Sequence, residues 1–294
     1  MLNWKNLDTL SSYAELQKVK AVNLKEVMTG ENGAARVKNY SVPMAEGMAY
    51  NYGAKAVDED VLAALVKLAS EAQLAEKYED LYNGDVINTG EKRLVLHQLT
   101  RGQLGQDVVA DGENKRAFYV EQQKRIAEFA EKVHSGEIAN AAGEKFTTVV
   151  QIGIGGSDLG PRAMYLALEN WAKTKGLLKM NAQFISNVDP DDAAAVLRNI
   201  DVAHSLFILV SKSGTTLETL TNQTFVMNAL RKLGLDPAKH MIAVTSATSP
   251  IATSPEYLAA FYMDDYIGGR YSSTSAVGGA VLSLAFGPEV FAEF

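Results

Sequence analysis

The chain has 294 residues, 47% hydrophobic and 21% charged, with a formal net charge of −7 and no cysteine. The length allows one large domain or two ordinary ones, and the composition is that of a folded chain. The acidic balance argues against DNA or RNA as a partner, and the lack of cysteine excludes disulfides, thiolate catalysis and Cys-ligated zinc. An anionic small molecule would therefore need a local electropositive site. The opening MLNWKNLDTL lacks the basic-then-apolar pattern of a secretory signal, and no window holds about 18 apolar residues in a row. These features lead us to expect a soluble cytoplasmic protein that meets neither nucleic acid nor membrane.

The first 140 residues read as helices joined by loops. Leu62, Leu65, Val66 and Ala69 recur at helical spacing, as do Ile126, Phe129, Ala130 and Val133. Between them NTGEKRLVLHQLTRG (88–102) shows no clear period. Its simplest reading is a helix on which Arg93, His97 and Arg101 are solvated or structurally paired. From Lys145 the texture changes. FTTVVQIG, QFISN, SLFILVS and HMIAVTS are short apolar runs, each followed by a helical pattern: from Pro161, VDPDDAAAVLRNI, TTLETLTNQTFVMNALRKLG and, after a Ser/Thr/Pro loop, SPEYLAAFY. Strands this apolar cannot keep one face in water. The alternation predicts a doubly wound α/β domain with a buried parallel sheet, binding its ligands at the carboxyl ends of the strands.

Two strand-end loops carry the chemistry. VVQIGIGGSDLGPRA sets Gly153, Gly155, Gly156 and Gly160 between a strand and a helix, where glycine lets a ligand approach backbone amides. A dinucleotide fingerprint fails here, because the third glycine position is Asp158, whose carboxylate would oppose a pyrophosphate. FILVSKSGTTLET brings Ser211, Ser213, Thr215 and Thr216 to a helix N-terminus around Lys212 and Gly214. An ordinary helix cap needs one hydroxyl. Four hydroxyls with a row of amides predict a phosphate monoester site, and the long glycine-framed spacing of a nucleotide polyphosphate loop is absent. Farther on, Gly268 and Gly269 let the backbone bend so that Arg270 can face a substrate, where its permanent charge would stabilise a developing enolate or enediolate oxygen anion; a structural arginine is the alternative.

IGIGGSDLGPRAM, VSKSGTTLET and GGRYSSTSAVGG, in that order, resemble three signature segments of the phosphoglucose isomerase family, and NTGEKRLVLHQLTR resembles its helical N-terminal segment. The resemblance implies reversible isomerisation of glucose 6-phosphate and fructose 6-phosphate, a step of glycolysis and gluconeogenesis, through a cis-enediol without cofactor or metal. It implies a homodimer of chains with two sugar isomerase (SIS) domains, each a Rossmann-like three-layer α/β sandwich, with a helical N-terminal segment. On this chain the division would be a helical segment at 1–112, a first SIS domain at 113–262 and the start of a second at 263–294. By position, Ser211, Lys212, Ser213, Thr215 and Thr216 resemble the family's phosphate loop, and Gly156 and Ser157 its sugar-contacting residues. Arg270 resembles the arginine that stabilises the enediolate, and Glu218 an acid with an ordering role at the loop–helix junction.

The family also uses a glutamate base in a segment like QLxMESNGK, a ring-opening histidine in one like GQHSFYQ, and a lysine near its C-terminus. None of these has a counterpart here, and His97, His134, His204 and His240 sit in packing or surface contexts. Asp158 and Glu218 are the carboxylates nearest the inferred site, and the helix dipole should lower the pKa of Asp158. The expectation is an N-terminal portion that stops inside the first helix of a second domain, leaving the apolar VGGAVLSLAF exposed or self-associating. The alternative is a non-catalytic sugar-phosphate-binding module. A different SIS-type enzyme and a dinucleotide oxidoreductase fit the residues less well.

Overall fold

The computed structural model describes residues 2–29, 32–102 and 104–294. The chain divides into two compact units, Met1–Asp80 and Leu81–Phe294. The first begins with α1 (Ser11–Leu16), α2 (Leu24–Thr29) and α3 (Gly33–Asn39). Strands β1 (Ser41–Pro43) and β2 (Ala49–Asn51) form an antiparallel hairpin, an element the helical reading of this region did not anticipate. The buried Arg36 organises the turns beyond it, donating to the carbonyls of Gly53 at 2.8 Å and Lys55 at 3.0 Å and to that of Val57. Next come α4 (Glu59–Glu71) and α5 (Leu74–Asn83). The predicted helix at Leu62 is α4, started by Asp58, whose carboxylate accepts the Val61 amide at 2.9 Å. Only Ala64 of α4 is buried, and Leu62, Leu65 and Val66 are exposed.

After the last residues of α5 the second unit continues as irregular chain. Residues 88–102 are not the expected helix: an isolated bridge pairs Asn88 with Arg93, and one 3-10 turn follows at His97–Thr100. The short strands β3 (Val109–Ala110) and β4 (Glu113–Asn114) lead into α6 (Lys115–Ser135), capped by Asn114 and stopped by Gly136 at φ 89°. The predicted stripe Ile126, Phe129, Ala130 and Val133 is buried.

Five strands then form one parallel sheet: β5 (Thr148–Ile152), β6 (Asn181–Ile185), β7 (Ser205–Val210), β8 (Met241–Ser246) and β9 (Ala259–Met263), in the order β6-β5-β7-β8-β9. Helices α7 (Leu159–Lys175), α8 (Pro190–Arg198) and α9 (Leu217–Lys232) connect the first four strands. The segment SPEYLAAFY departs from expectation, since its end is edge strand β9 and not a helix. Phe261 and Met263 of β9 face the core on alternate residues, the period of a strand.

Alternation along the strands splits the core in two. Val149, Leu206, Ile208, Val210, Ile242 and Val244 face α6 and α7, while Val150, Ile152, Phe207, Leu209 and Met241 face α8 and α9. The result is a three-layer α/β sandwich. The chain visits β5, steps to β6 on one side, and returns to β7 on the other. The connections leaving β5 and β7 therefore diverge, which opens a crevice at their carboxyl ends.

After a 3-10 segment at Gly269–Thr274 come α10 (Ala276–Phe286) and α11 (Pro288–Glu293). The expectation that VGGAVLSLAF would lie exposed is not met. Every residue of α10 is buried, in the same core as α6, α7 and one face of the sheet, and Phe286 stacks on Tyr165 at 5.4 Å between centroids. A helix apolar on all sides belongs inside a layer, and this one is surrounded.

Candidate active site

The loop after β7 is held by its neighbours in the sheet. The Ser211 amide donates to the Val244 carbonyl at 3.1 Å, the Thr245 hydroxyl to the Ser211 carbonyl at 2.7 Å, and the Ser246 amide to the Lys212 carbonyl at 3.0 Å. Gly214 turns the chain at φ 65°, and a side chain there would collide with the Ser249 hydroxyl. Its amide donates to both the carbonyl and the hydroxyl of Ser211, each at 3.2 Å. Thr216 sits at the N-cap of α9 without a side-chain cap bond, and its hydroxyl accepts from Ser211 Oγ at 3.3 Å. The hydroxyls of this loop are thus not spent on capping. They stand beside the first amides of a sixteen-residue helix, where the dipole and the unpaired N–H groups favour an anion.

A cavity of about 600 Å³ opens at this point, in the crevice the strand order creates. Ile154 and Ser157 line it from the loop after β5, and Ser211, Lys212, Ser213, Thr216 and Thr219 from the loop after β7. Three further contributions were not read as site residues in the sequence. Ser246, Thr248 and Ser249 bring hydroxyls from the loop after β8, Arg93 brings a cation from the irregular N-terminal stretch, and Asp265 a carboxylate from beyond β9. The Asp265 carboxylate is flanked by Arg93 Nη2 at 3.4 Å and Lys212 Nζ at 3.7 Å. Lys212 Nζ also donates to the Ile267 carbonyl at 3.2 Å. A strand-end Ser/Thr run after β8 was a findable signal; Arg93 and Asp265 come from distant segments whose approach no local pattern reveals.

Ser157, Ser211, Lys212, Ser213 and Thr216 therefore meet in one cavity, while the other expected site residues do not line it. Thr215 is exposed, its amide and hydroxyl donating to Ser213 Oγ at 3.2 and 3.0 Å. Glu218 is exposed on the first turn of α9. Gly156 meets a segment of chain: a Cβ on it would run into the backbone of Gly269, and its carbonyl accepts from Ser272 Oγ at 3.2 Å. The glycines GG of both loops allow two backbones to touch, and Arg270 is exposed one residue past that contact.

Asp158 corrects a second expectation. It is buried, and burial pushes its carboxyl above the ordinary range despite the helix N-terminus, while Arg162 opposes the shift by donating through Nε at 2.9 Å. The carboxylate is committed to Arg162 on its own helix and lies outside the cavity lining.

A three-layer α/β sandwich with hydroxyls and a helix N-terminus at its topological switch point has the architecture of a protein that binds a small anionic ligand at its strand ends. The sequence profile described as Phosphoglucose isomerase matches residues 51–294, and the chain belongs to that family. It is 60% identical over 298 residues to the glucose-6-phosphate isomerase of Treponema denticola, covering 100% of this chain and 56% of that protein. Identity to the enzyme of the same name from Treponema pallidum is 54% over 297 residues, again 100% of this chain and 56% of the relative. The crystal structure of a glucose-6-phosphate isomerase from Chlamydia trachomatis superposes with a TM-score of 0.83 at 38% identity, over 98% of this chain and 54% of that one. The chain thus spans about half the length of the curated relatives it matches. No helix among the described residues is long and apolar enough to cross a membrane.

Proposed function

We propose that this chain carries the substrate cradle of a cytoplasmic, homodimeric glucose-6-phosphate isomerase, an aldose–ketose isomerase that interconverts glucose 6-phosphate and fructose 6-phosphate. The observation that carries the reading is the N-terminus of α9, free of a side-chain cap and set among hydroxyls in a cavity of about 600 Å³. The phosphate would take the hydroxyls of Ser211, Ser213, Thr215 and Thr216 and the amide of Lys212, with Glu218 ordering the junction. The sugar would extend toward Gly156 and Ser157. Arg270 would stabilise the enediolate that forms as a proton moves between C1 and C2, an interaction stronger in the transition state than in the ground state.

A second reading, a sugar-phosphate-binding module without catalysis of its own, is favoured by the carboxylates. Among the described residues Asp265 is the one carboxylate lining the cavity, and it faces two cations, an environment that suits a counter-ion better than a general base. Binding of fructose 6-phosphate and of fructose, followed by calorimetry, tests the cradle. Replacing Ser211 and Thr216 together by alanine is expected to weaken the phosphorylated sugar by about 2–3 kcal/mol, at 1–1.5 kcal/mol per hydrogen bond, and to leave fructose unchanged. Equal losses for both would contradict the phosphate assignment. Isomerase activity of the parent chain, absent from an Arg270→Ala chain prepared beside it, would decide against the second reading.

A further inference from the structure

We infer that His97 is a positioning residue for Arg270, an inference that rests on the proposed role of that arginine. Within the Gly268–Arg270 turn the Tyr271 amide donates to the Gly268 carbonyl at 3.4 Å and Ser272 Oγ to the Gly269 carbonyl at 2.8 Å, but Gly268, Gly269 and Arg270 are exposed and the glycines carry no side chains. The turn is held from outside, by the irregular stretch 93–101. The Leu96 amide donates to the Tyr266 carbonyl at 3.0 Å. His97 Nε2 lies 2.9 Å from the Gly268 carbonyl, so the ring carries its proton on Nε2 and donates. The same ring meets Tyr271 edge-on, with centroids 6.0 Å apart. Thr100 Oγ1 is 2.8 Å from Thr274 Oγ1, and Arg101 Nε donates to that hydroxyl at 3.3 Å.

His97 therefore contacts the chain on both sides of Arg270, at residues 268 and 271, and is the member of this clamp closest in sequence register to the arginine. It is half-buried, and burial is the first cause that holds its pKa below the ordinary imidazole range. The backbone bond to Gly268 opposes that shift, and the charges of Arg101, Lys212 and Arg270 add to it. A neutral donor in this place fixes the Gly268 carbonyl without setting a second positive charge against the guanidinium. A leucine of similar bulk would fill the space but leave that carbonyl only the longer bond from the Tyr271 amide, at 3.4 Å. On this account His97 touches neither phosphate nor sugar; it sets where the arginine stands when enediolate charge develops.

The test uses two ligands that separate the two ends of the site. Inorganic phosphate reads the cradle, and 5-phospho-D-arabinonate, whose carboxylate carries charge where the enediolate would, reads Arg270 as well. In the 294-residue chain, His97→Phe is expected to weaken the arabinonate about tenfold, the size of one lost hydrogen bond, and to leave inorganic phosphate within about twofold. His97→Gln, which keeps an N–H donor, should recover most of the loss and guards against a misfolded phenylalanine variant. In an Arg270→Ala background His97→Phe should cost less than about twofold, since the group it positions is gone. A tenfold loss that persists without Arg270, an equal loss for inorganic phosphate, or no recovery with glutamine would overturn the inference. A parent chain that binds phosphate without preferring the arabinonate would overturn it too, leaving the cradle intact. Failure to bind either ligand would instead remove the proposed function, and the inference with it.

Discussion

The loop after β7 and the segment before α10 both bring polar groups to the carboxyl end of the sheet, but they are held in opposite ways. Residues 211–216 are fixed by what adjoins them: the strand they leave, the helix they enter and the next strand, β8. Residues 264–274 are fixed by distant partners. Half-buried Asp264 accepts the Tyr119 hydroxyl at 2.9 Å, Asp265 faces Arg93 and Lys212, Gly268 bonds to His97, and Gly269 lies against Gly156. The first arrangement sets hydroxyls beside a helix N-terminus by local geometry. The second brings Asp265 to the same cavity and depends on four segments being folded already.

The comparison can be broken first at the anchor of the distant segment. Phe286→Ala, at the far end of α10, should cost about 3–5 kcal/mol in chemical denaturation, as expected for a fully buried ring deleted from a close-packed core. A cost under about 1 kcal/mol would mean that α10 does not carry the segment.

Next in size are the glycines. Gly156→Val sets a side chain against the Gly269 backbone, which has no rotamer to yield, and should lower stability by about 1–3 kcal/mol or more. Gly214→Ala adds a left-handed backbone penalty of about 1–2 kcal/mol, while the Ser249 hydroxyl in its way can turn aside. Gly214→Ala should therefore be partly rescued by Ser249→Ala, whereas no single side-chain deletion should rescue Gly156→Val. Thermal unfolding of Gly156→Val, Gly214→Ala and Gly214→Ala combined with Ser249→Ala checks the contrast.

The smallest effect lies at the other end of β7. His204 stands between Asp201 and Glu144, with both nitrogens 2.9 Å from carboxylate oxygens, and the Asp201 bond is the first cause that raises its pKa, followed by Glu144. A raised folded-state pKa means that the stabilisation is fully present below the unfolded value, about 6.5, and is lost as pH rises through the folded value. Asp201 behaves in reverse: the His204 bond lowers its pKa, so its share is lost as pH falls below the ordinary carboxylate range. The melting temperature of His204→Gln should fall below that of the parent between these limits and converge with it in alkaline buffer. Curves that stay equally separated at every pH would contradict this.

The same contrast explains what was legible in the sequence. The β-branched runs, the hydroxyl loop at Ser211 and the glycine turns are local patterns, and from them followed the strands and the meeting of Ser157, Ser211, Lys212, Ser213 and Thr216 in one cavity. Residues 88–102 defeated a local reading because Leu96, His97 and Thr100 are fixed by partners near residues 266–274 and not by helical neighbours. The apolar stretch after Ser275 signalled a buried helix, but what buries it, α6, α7 and the sheet, is a matter of topology. Asp158 shows the same limit in electrostatics: its place at a helix start was visible, and the burial that dominates its titration was not.

The central claim is that an anion binds at the start of α9. The most direct measurement follows backbone amide resonances of the isotope-labelled chain as inorganic phosphate is added. The account predicts saturable shifts concentrated at Lys212–Thr219, with smaller ones at Ser246–Ser249 and little change elsewhere. Saturable shifts confined to other helix starts, or none at 212–219, would contradict it.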